Sequence, residues 1–207
     1  MDIYEKFLNE NIAYFEDRLN EVTEHEIQIM GYSGVSVKQA FQKLVQKRDM
    51  YYFPYCLYLI QFGLGVTKDK DFSMNAFEKL LPDSKSYIER PFLAYICAYC
   101  YNRDGDLKVS EDILTHLTES HFAPAITTFG DLYWVKKDFE NAKNYYRVAT
   151  DLRHFDATSK YLILCCKGPK IFSRVKALIY YLLKGVLGQT RGEKFVYFDF
   201  YGFKNRN

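Results

Sequence analysis

Residues 121 to 154 read HFAPAITTFGDLYWVKKDFENAKNYYRVATDLRH, and this stretch determines the fold that we predict for the chain. Apolar residues recur at steps of three and four on both sides of a polar turn at Lys136-Lys137-Asp138, which predicts two short amphipathic helices. The apolar stripes contain Ala125, Phe129, Leu132 and Tyr133 in the first helix, and Ala142, Tyr145, Tyr146 and Ala149 in the second. Gly130 lies on the first stripe and costs about 1 kcal/mol relative to Ala within a helix, so we expect a second backbone to come close there. Such a hairpin cannot bury its apolar stripe alone.

Related hairpins occur elsewhere in the chain. One begins near Tyr55 and turns at residues 63–69, a second begins at Pro91 and turns at residues 102–106, and another begins at Phe155 and turns at residues 167–169. Ala94, Ala125 and Ala157 recur among them at nearly equal intervals. Helical hairpins that recur at such a period become stable by stacking on one another. The sequence therefore predicts an all-α fold, a right-handed α-solenoid of stacked antiparallel helix hairpins, with a generic helical bundle as the alternative.

Three motifs resemble the Sel-like repeat, a variant of the tetratricopeptide repeat. The first helix of that repeat is similar to the run from Pro124 to Tyr133 with Phe129-Gly130, and its second helix is similar to Asp138-Phe-x-x-Ala-x-x-Tyr-Tyr-x-x-Ala. Gly63-Leu-Gly65-Val66-Thr-Lys-Asp69 resembles the inter-helix turn Gly-x-Gly-Val-x-x-Asp. The resemblance covers roughly residues 55 to 185, although Tyr99 stands where the third copy has Gly130. It implies an α-solenoid that binds proteins and has no chemistry of its own.

Composition and termini set the limits of the remaining prediction. The 207 residues are 48% hydrophobic and carry a net charge of +2, so we expect one well-packed domain and no nucleic-acid partner. Asp2, Glu5 and Glu10 stand where a secretory signal would need basic and apolar residues, and we therefore expect a cytoplasmic protein. Apolar residues spaced through residues 4–22 and 35–48 predict two helices that form an N-terminal cap over residues 1–50.

The C-terminal part allows two interpretations. Ile171 to Leu187 is strongly apolar, but Arg174, Lys176 and Lys184 interrupt a run that is already short for a membrane span. It is either the last helix of a repeat region over residues 51–187 or a basic helix that rests on a membrane surface. The aromatic tail, residues 188–207, either packs on the last repeat or offers a strand to a partner. We favour packing, because an exposed apolar strand promotes aggregation.

Residue patterns give no case for catalysis, a cofactor or a metal. Cys97-x-x-Cys100 lacks the second pair or the nearby histidine of a zinc site, and the cysteines fit small buried side chains in a reducing compartment. His121 and His154 each stand just before a phenylalanine, which favours a role in a turn. Asp104-Gly-Asp106 is too short for a calcium loop. No nucleophile is accompanied by a base, so we predict no catalytic residue.

Binding residues are expected on the first helices of the hairpins, on the side that points away from the core. In the third hairpin these residues are Thr127, Asp131 and Trp134, and the tryptophan is a candidate hot spot. Alignment on the three recurring alanines gives Ile96, Cys100 and Arg103 in the preceding hairpin, and Ser159, Ile163 and Cys166 in the following one. This mixed, mostly uncharged stripe favours an apolar or extended peptide. Alternatively, Trp134 only closes the turn below it.

The predicted function is non-catalytic: an adaptor or scaffold that binds a partner protein or peptide on the concave solenoid face. A narrower alternative is an immunity-type inhibitor of a cognate toxin. A second alternative is a membrane-peripheral assembly factor attached through Ile171 to Leu187, and an enzyme is the least favoured class. Neither the partner nor the oligomeric state follows from these patterns, because surface residues vary independently of the packing residues that indicate a fold.

Overall fold

The computed structural model describes residues 3–19, 52–64 and 66–166, together with positions 175 and 179. These residues are all-helical, with nine helices and no strand, which confirms the predicted all-α class. The helices are α1 (Ile3–Leu19), α2 (Tyr52–Phe62), α3 (Lys70–Leu80), α4 (Ser84–Glu89), α5 (Pro91–Asp104), α6 (Leu107–Glu119), α7 (Ala123–Val135), α8 (Phe139–Asp151) and α9 (Phe155–Cys166). The helix predicted over residues 35–48, most of the helix predicted from Ile171 and the aromatic tail lie outside the described residues.

The chain divides into two compact units, Met1–Cys100 and Tyr101–Asn207. The division falls inside α5, so the end of that helix belongs to the C-terminal unit. The predicted domain boundaries at residues 50 and 187 lie outside the described residues.

Aromatic rings join α1 to the first hairpin in the N-terminal unit. The fully buried rings of Phe15 and Phe53 meet edge to face with centroids 5.4 Å apart. Tyr14 stacks on Phe72 of α3 at 4.1 Å, and its hydroxyl donates a hydrogen bond to Asp69 Oδ2 at 2.7 Å. Asp69 also accepts the amide of Phe72 and so caps α3. The turn predicted to end at Asp69 therefore lies between α2 and α3, as expected.

Five helices end in the same turn, in which one residue adopts a left-handed backbone conformation. These residues are Gly63, Gly105, His121, Lys137 and Arg153. In each turn the left-handed residue donates its amide to the carbonyl three residues earlier, and the next amide donates to the carbonyl five residues earlier. At Lys137 these bonds reach Trp134 and, from Asp138, Tyr133, both at 2.9 Å. This pair of hydrogen bonds defines the Schellman motif, which satisfies the last carbonyls of a helix.

The last four of these turns are evenly spaced along the chain, with their left-handed residues at positions 105, 121, 137 and 153. The starts of α5 to α9 keep the same interval, at positions 91, 107, 123, 139 and 155. Because both ends of the helices agree, the interval is the length of one helix with its turn, and a hairpin takes two such intervals. In the C-terminal unit α6 packs on α7, and α8 packs on both α7 and α9.

Small residues recur at two equivalent positions of the described hairpins. Seven residues before the left-handed residue of the turn, the first helices α2, α5 and α7 carry Cys56, Ala98 and Gly130. The fourth residue of the second helices α3, α6 and α8 is Ser73, Ser110 and Ala142. Aspartates at positions 69, 106 and 138 cap those second helices by accepting the amide three residues later. A Cβ placed on Gly130 would lie 2.4 Å from Tyr146 Cε1. The group that approaches Gly130 is therefore the Tyr146 ring and not the second backbone that we expected.

Candidate functional site

Two of the three residues of α7 that were predicted to bind a partner, Thr127 and Asp131, lie in the interior. Thr127 is fully buried, donates its hydroxyl to the carbonyl of Ala123 at 2.9 Å, and lies 2.7 Å from His154 Nδ1. Asp131 is only 1% exposed. The prediction that these side chains point away from the core is wrong, because this side of α7 packs against α9 and against His154, which precedes it.

Asp131 is the centre of a buried polar cluster that joins three consecutive helices. Its carboxylate accepts the Tyr146 hydroxyl of α8 at 2.5 Å and pairs with Lys160 Nζ of α9 at 2.7 and 2.9 Å. Lys160 Nζ also lies 5.8 Å from the centroid of the Tyr146 ring. Burial, and secondarily the Asp131 carboxylate, raise the pKa of Tyr146 well above its usual range, so this hydroxyl stays protonated as a donor.

This cluster is built to hold helices together. Both Asp131 oxygens already accept hydrogen bonds, and the Lys160 side chain is only 9% exposed. A carboxylate that is 1% exposed and paired with an ammonium group lacks the solvent access that a general base needs. We name these three residues, Asp131, Tyr146 and Lys160, the polar triad.

Trp134 packs over the turn that follows α7 and remains partly exposed. Its ring meets Phe139, the first residue of α8, edge to face at 5.7 Å and lies 6.2 Å from the Tyr146 ring. Its carbonyl accepts the Lys137 amide of the Schellman turn. Trp134 therefore packs on the turn, as the alternative proposed, while the exposed part of its ring remains available to a partner and its binding role stays a prediction.

Cys100 and Arg103 do not correspond to Asp131 and Trp134. The predicted alignment of the two hairpins was based on single alanines, and its interval is one residue too short. The helix starts and the turns show that Tyr99 is equivalent to Asp131 and Asn102 to Trp134. One residue is a rotation of about 100° around a helix axis, so the error moves a side chain to a different face. Cys100 is fully buried in its unit, and Arg103 is exposed.

The corrected alignment also removes the departure noted at Tyr99. Ala98 and Gly130 each stand seven residues before the left-handed residue of their turn, so Ala98 and not Tyr99 is the equivalent of Gly130. Both hairpins therefore carry a small residue at this position.

A stack of three aromatic rings lies on the α7–α8 hairpin, and the sequence prediction assigned all three to the core. Tyr145 of α8 stacks between Phe129 and Tyr133 of α7, with centroid distances of 5.8 and 5.3 Å and interplanar angles of 24° and 15°. All three side chains are half-buried, and Lys136 Nζ lies 5.9 Å from the Tyr133 centroid. We call Phe129, Tyr133 and Tyr145 the aromatic ladder. No pattern in the sequence separates these rings from fully buried ones, since all lie on one stripe of the helical period.

Two cysteines of the described residues, Cys56 and Cys97, have deeply buried thiols. Burial raises the pKa of Cys56 to about 12 and raises that of Cys97 further, so both thiols stay protonated at neutral pH. Within the described ranges, no group of three His, Cys, Asp or Glu side chains could hold a metal ion. His121 occupies a left-handed turn and His154 precedes α9 with its carbonyl accepting the Thr158 amide, which confirms their predicted role in turns.

Comparison of the chain with models of known protein families, with curated proteins and with solved structures found no match. Among the helices described above, none combines the length and the apolar content needed to cross a bilayer.

Proposed function

We propose that the chain is a non-catalytic binding protein, an α-solenoid of Sel-like hairpins that acts as an adaptor or scaffold for a partner protein or peptide. The support is the constant interval between helix starts from α5 to α9, together with the repeated Schellman turns, aspartate caps and small-residue positions. Repeated hairpins of this kind present a surface whose outward side chains are free to vary, which is the usual basis of binding in repeat proteins.

The aromatic ladder is the binding surface that we propose, in place of the face predicted around Thr127 and Asp131. Three nearly parallel rings form a rigid surface. Because the rings are already ordered before a partner binds, binding costs little side-chain entropy. Tyr133 and Tyr145 pack their inner sides on the buried cluster that contains Tyr146, so the ladder is held in place from below. Tyrosine is one of the residue types enriched in binding hot spots.

The ladder fits an extended, largely apolar peptide segment. Aromatic rings with tyrosine hydroxyls at their edges accept apolar side chains on their faces and backbone groups at their rims. The ammonium group of Lys136 beside Tyr133 adds a cation at one end of the ladder, where a carboxylate of the partner would be favoured.

The test is affinity capture from lysate of the source cell with the tagged full-length chain, using Tyr133→Ala and Tyr145→Ala. Each substitution should reduce recovery of one stoichiometric partner at least tenfold, the loss expected when a hot spot worth about 2 kcal/mol is removed. Val148→Ala is the matched control, because Val148 is an exposed apolar residue of α8 outside the ladder.

Two results would contradict the proposal. If the partner is recovered equally with the ladder variants and lost with Val148→Ala, binding occurs on another face of α8. If only lipid or membrane proteins are recovered, the ladder is not the site, and the membrane-peripheral alternative replaces the adaptor.

A further inference from the structure

The second half of helix α9 has an apolar pattern that does not specify which of its sides faces α7 and α8. Residues 161 to 165 read Tyr-Leu-Ile-Leu-Cys without interruption. Because each residue turns the helix by about 100°, five consecutive apolar residues surround its whole circumference. Ile163 is 46% exposed, while Cys165 is buried. In this half of the helix, a rotation that exchanged these two residues would still bury an apolar side chain.

Polar contacts distinguish the observed side of α9 from the others. Lys160 pairs with Asp131 of α7, and His154, which directly precedes α9, meets the hydroxyl of Thr127. Both contacts are buried, and both reach α7 directly.

The two α7 residues in these contacts stand at positions that are apolar in another first helix. Asp131 and Thr127 lie six and ten residues before the left-handed turn residue of α7. At the same positions of α2 the chain carries Leu57 and Phe53, which are fully buried. The α7–α9 interface is therefore polar at two positions that hold buried apolar side chains in α2.

Lys160 is the only basic residue of α9. A shift of α9 by one turn along its axis would place Asp156 or Ala157 opposite Asp131 in one direction, and Ile163 or Leu164 in the other. In each arrangement α9 brings no cation to the buried Asp131 carboxylate, which is strongly unfavourable because a charge in a low-dielectric interior needs a partner. Rotation of α9 about its axis has the same consequence.

We propose that the Asp131–Lys160 pair fixes the orientation and the register of α9 on the α7–α8 hairpin. The pair excludes alternative packings of a helix whose second half is apolar on every side, as a single buried polar residue fixes register in a coiled coil. Tyr146 supports the device by donating to the same carboxylate, and it is not itself the determinant.

The test measures alkylation of Cys165 by iodoacetamide in the folded full-length chain, resolved by peptide mass spectrometry in a Cys166→Ser background. The variant Asp131→Leu/Lys160→Met replaces the pair by apolar side chains and should keep its helical circular dichroism. We expect Cys165 to react about tenfold faster or more, because alternative orientations expose it. Cys97, buried in the N-terminal unit, is the internal control and should react at an unchanged rate. Tyr146→Phe keeps the ion pair and should leave Cys165 protected.

Unchanged reactivity of Cys165 in the double variant would overturn the proposal, since apolar packing alone would then orient α9. If Cys97 also becomes reactive, the double variant has unfolded. The single variants Lys160→Arg and Lys160→Gln then test whether the cation orients α9. The arginine keeps the cation and should protect Cys165, whereas the glutamine should not. Equal rates in these two variants would overturn the proposal as well.

Discussion

Replacement of Gly130 by alanine tests the packing of the α7–α8 hairpin. An added Cβ would lie 2.4 Å from Cε1 and 2.6 Å from Cδ1 of Tyr146, closer than carbon atoms can approach. The ring cannot move aside freely, because it is fully buried and its hydroxyl is bound to Asp131. Overpacking costs about 1–3 kcal/mol, and a hydrogen bond to a charged group contributes about 1.5–3 kcal/mol. Against this, alanine gains only about 1 kcal/mol of helix propensity.

We therefore expect Gly130→Ala to lower the free energy of unfolding by about 2 kcal/mol. Urea unfolding followed by fluorescence measures this change, since Trp134 is the only tryptophan and lies 6.2 Å from the Tyr146 ring. The matched control is Ala98→Gly at the equivalent position of α5, which should destabilise by about 1 kcal/mol through helix propensity. A gain of stability in Gly130→Ala would refute the reasoning, because the ring would then have moved without cost.

Four further substitutions test two buried serines, a helix cap and a turn. Ser110→Ala should raise the stability measured by thermal unfolding by about 1 kcal/mol, because the buried Ser110 hydroxyl has no hydrogen-bond partner in the described part of the chain. Ser73→Ala should instead lower the stability, because it removes a hydroxyl that is bound to the carbonyls of Leu57 and Asp69. Hydrogen bonds from Ser86 lower the pKa of the Asp83 carboxyl in the folded chain. The ionised carboxylate therefore stabilises the fold at pH values above the pKa that Asp83 has in the unfolded chain, and this stabilisation is lost as the pH falls through the lower pKa of the folded chain. Asp83→Asn should therefore flatten the acid dependence of the melting temperature below about pH 5, and an unchanged slope would contradict the assignment. Lys137→Gly should stabilise by about 0.5–1 kcal/mol in urea unfolding, since relief of a left-handed lysine outweighs the entropy of glycine, and a loss would show that the lysine side chain has a packing role.

The helices and turns of the described hairpins could be predicted from the sequence because they depend on local physics. Apolar periodicity placed helices on both sides of Lys136-Lys137-Asp138, and the structure has α7 and α8 there. The packing partner of Gly130 could not be predicted, because the ring of Tyr146 reaches it from another helix. Thr127 and Asp131 were assigned to the surface because they lie on the side of the first helix away from its apolar stripe. Their burial depends on His154 and Lys160, which are 27 and 29 residues away.

The register error at Cys100 and Arg103 shows why turns locate equivalent positions better than single small residues do. Alanine fits several positions of a helix, so an alignment on alanines had no unique meaning. The left-handed residue of a Schellman turn, recognised by the hydrogen bonds of its own amide and of the next amide, occupies only one position at a helix end. The turns at residues 105 and 137 therefore align the two hairpins directly. With this alignment Asp131 corresponds to Tyr99 in the preceding hairpin and to Ile163 in the following one. The position is therefore charged in only one of these three hairpins, and a buried charge confined to one hairpin interface is better explained by selection of a single packing arrangement than by a gain in stability.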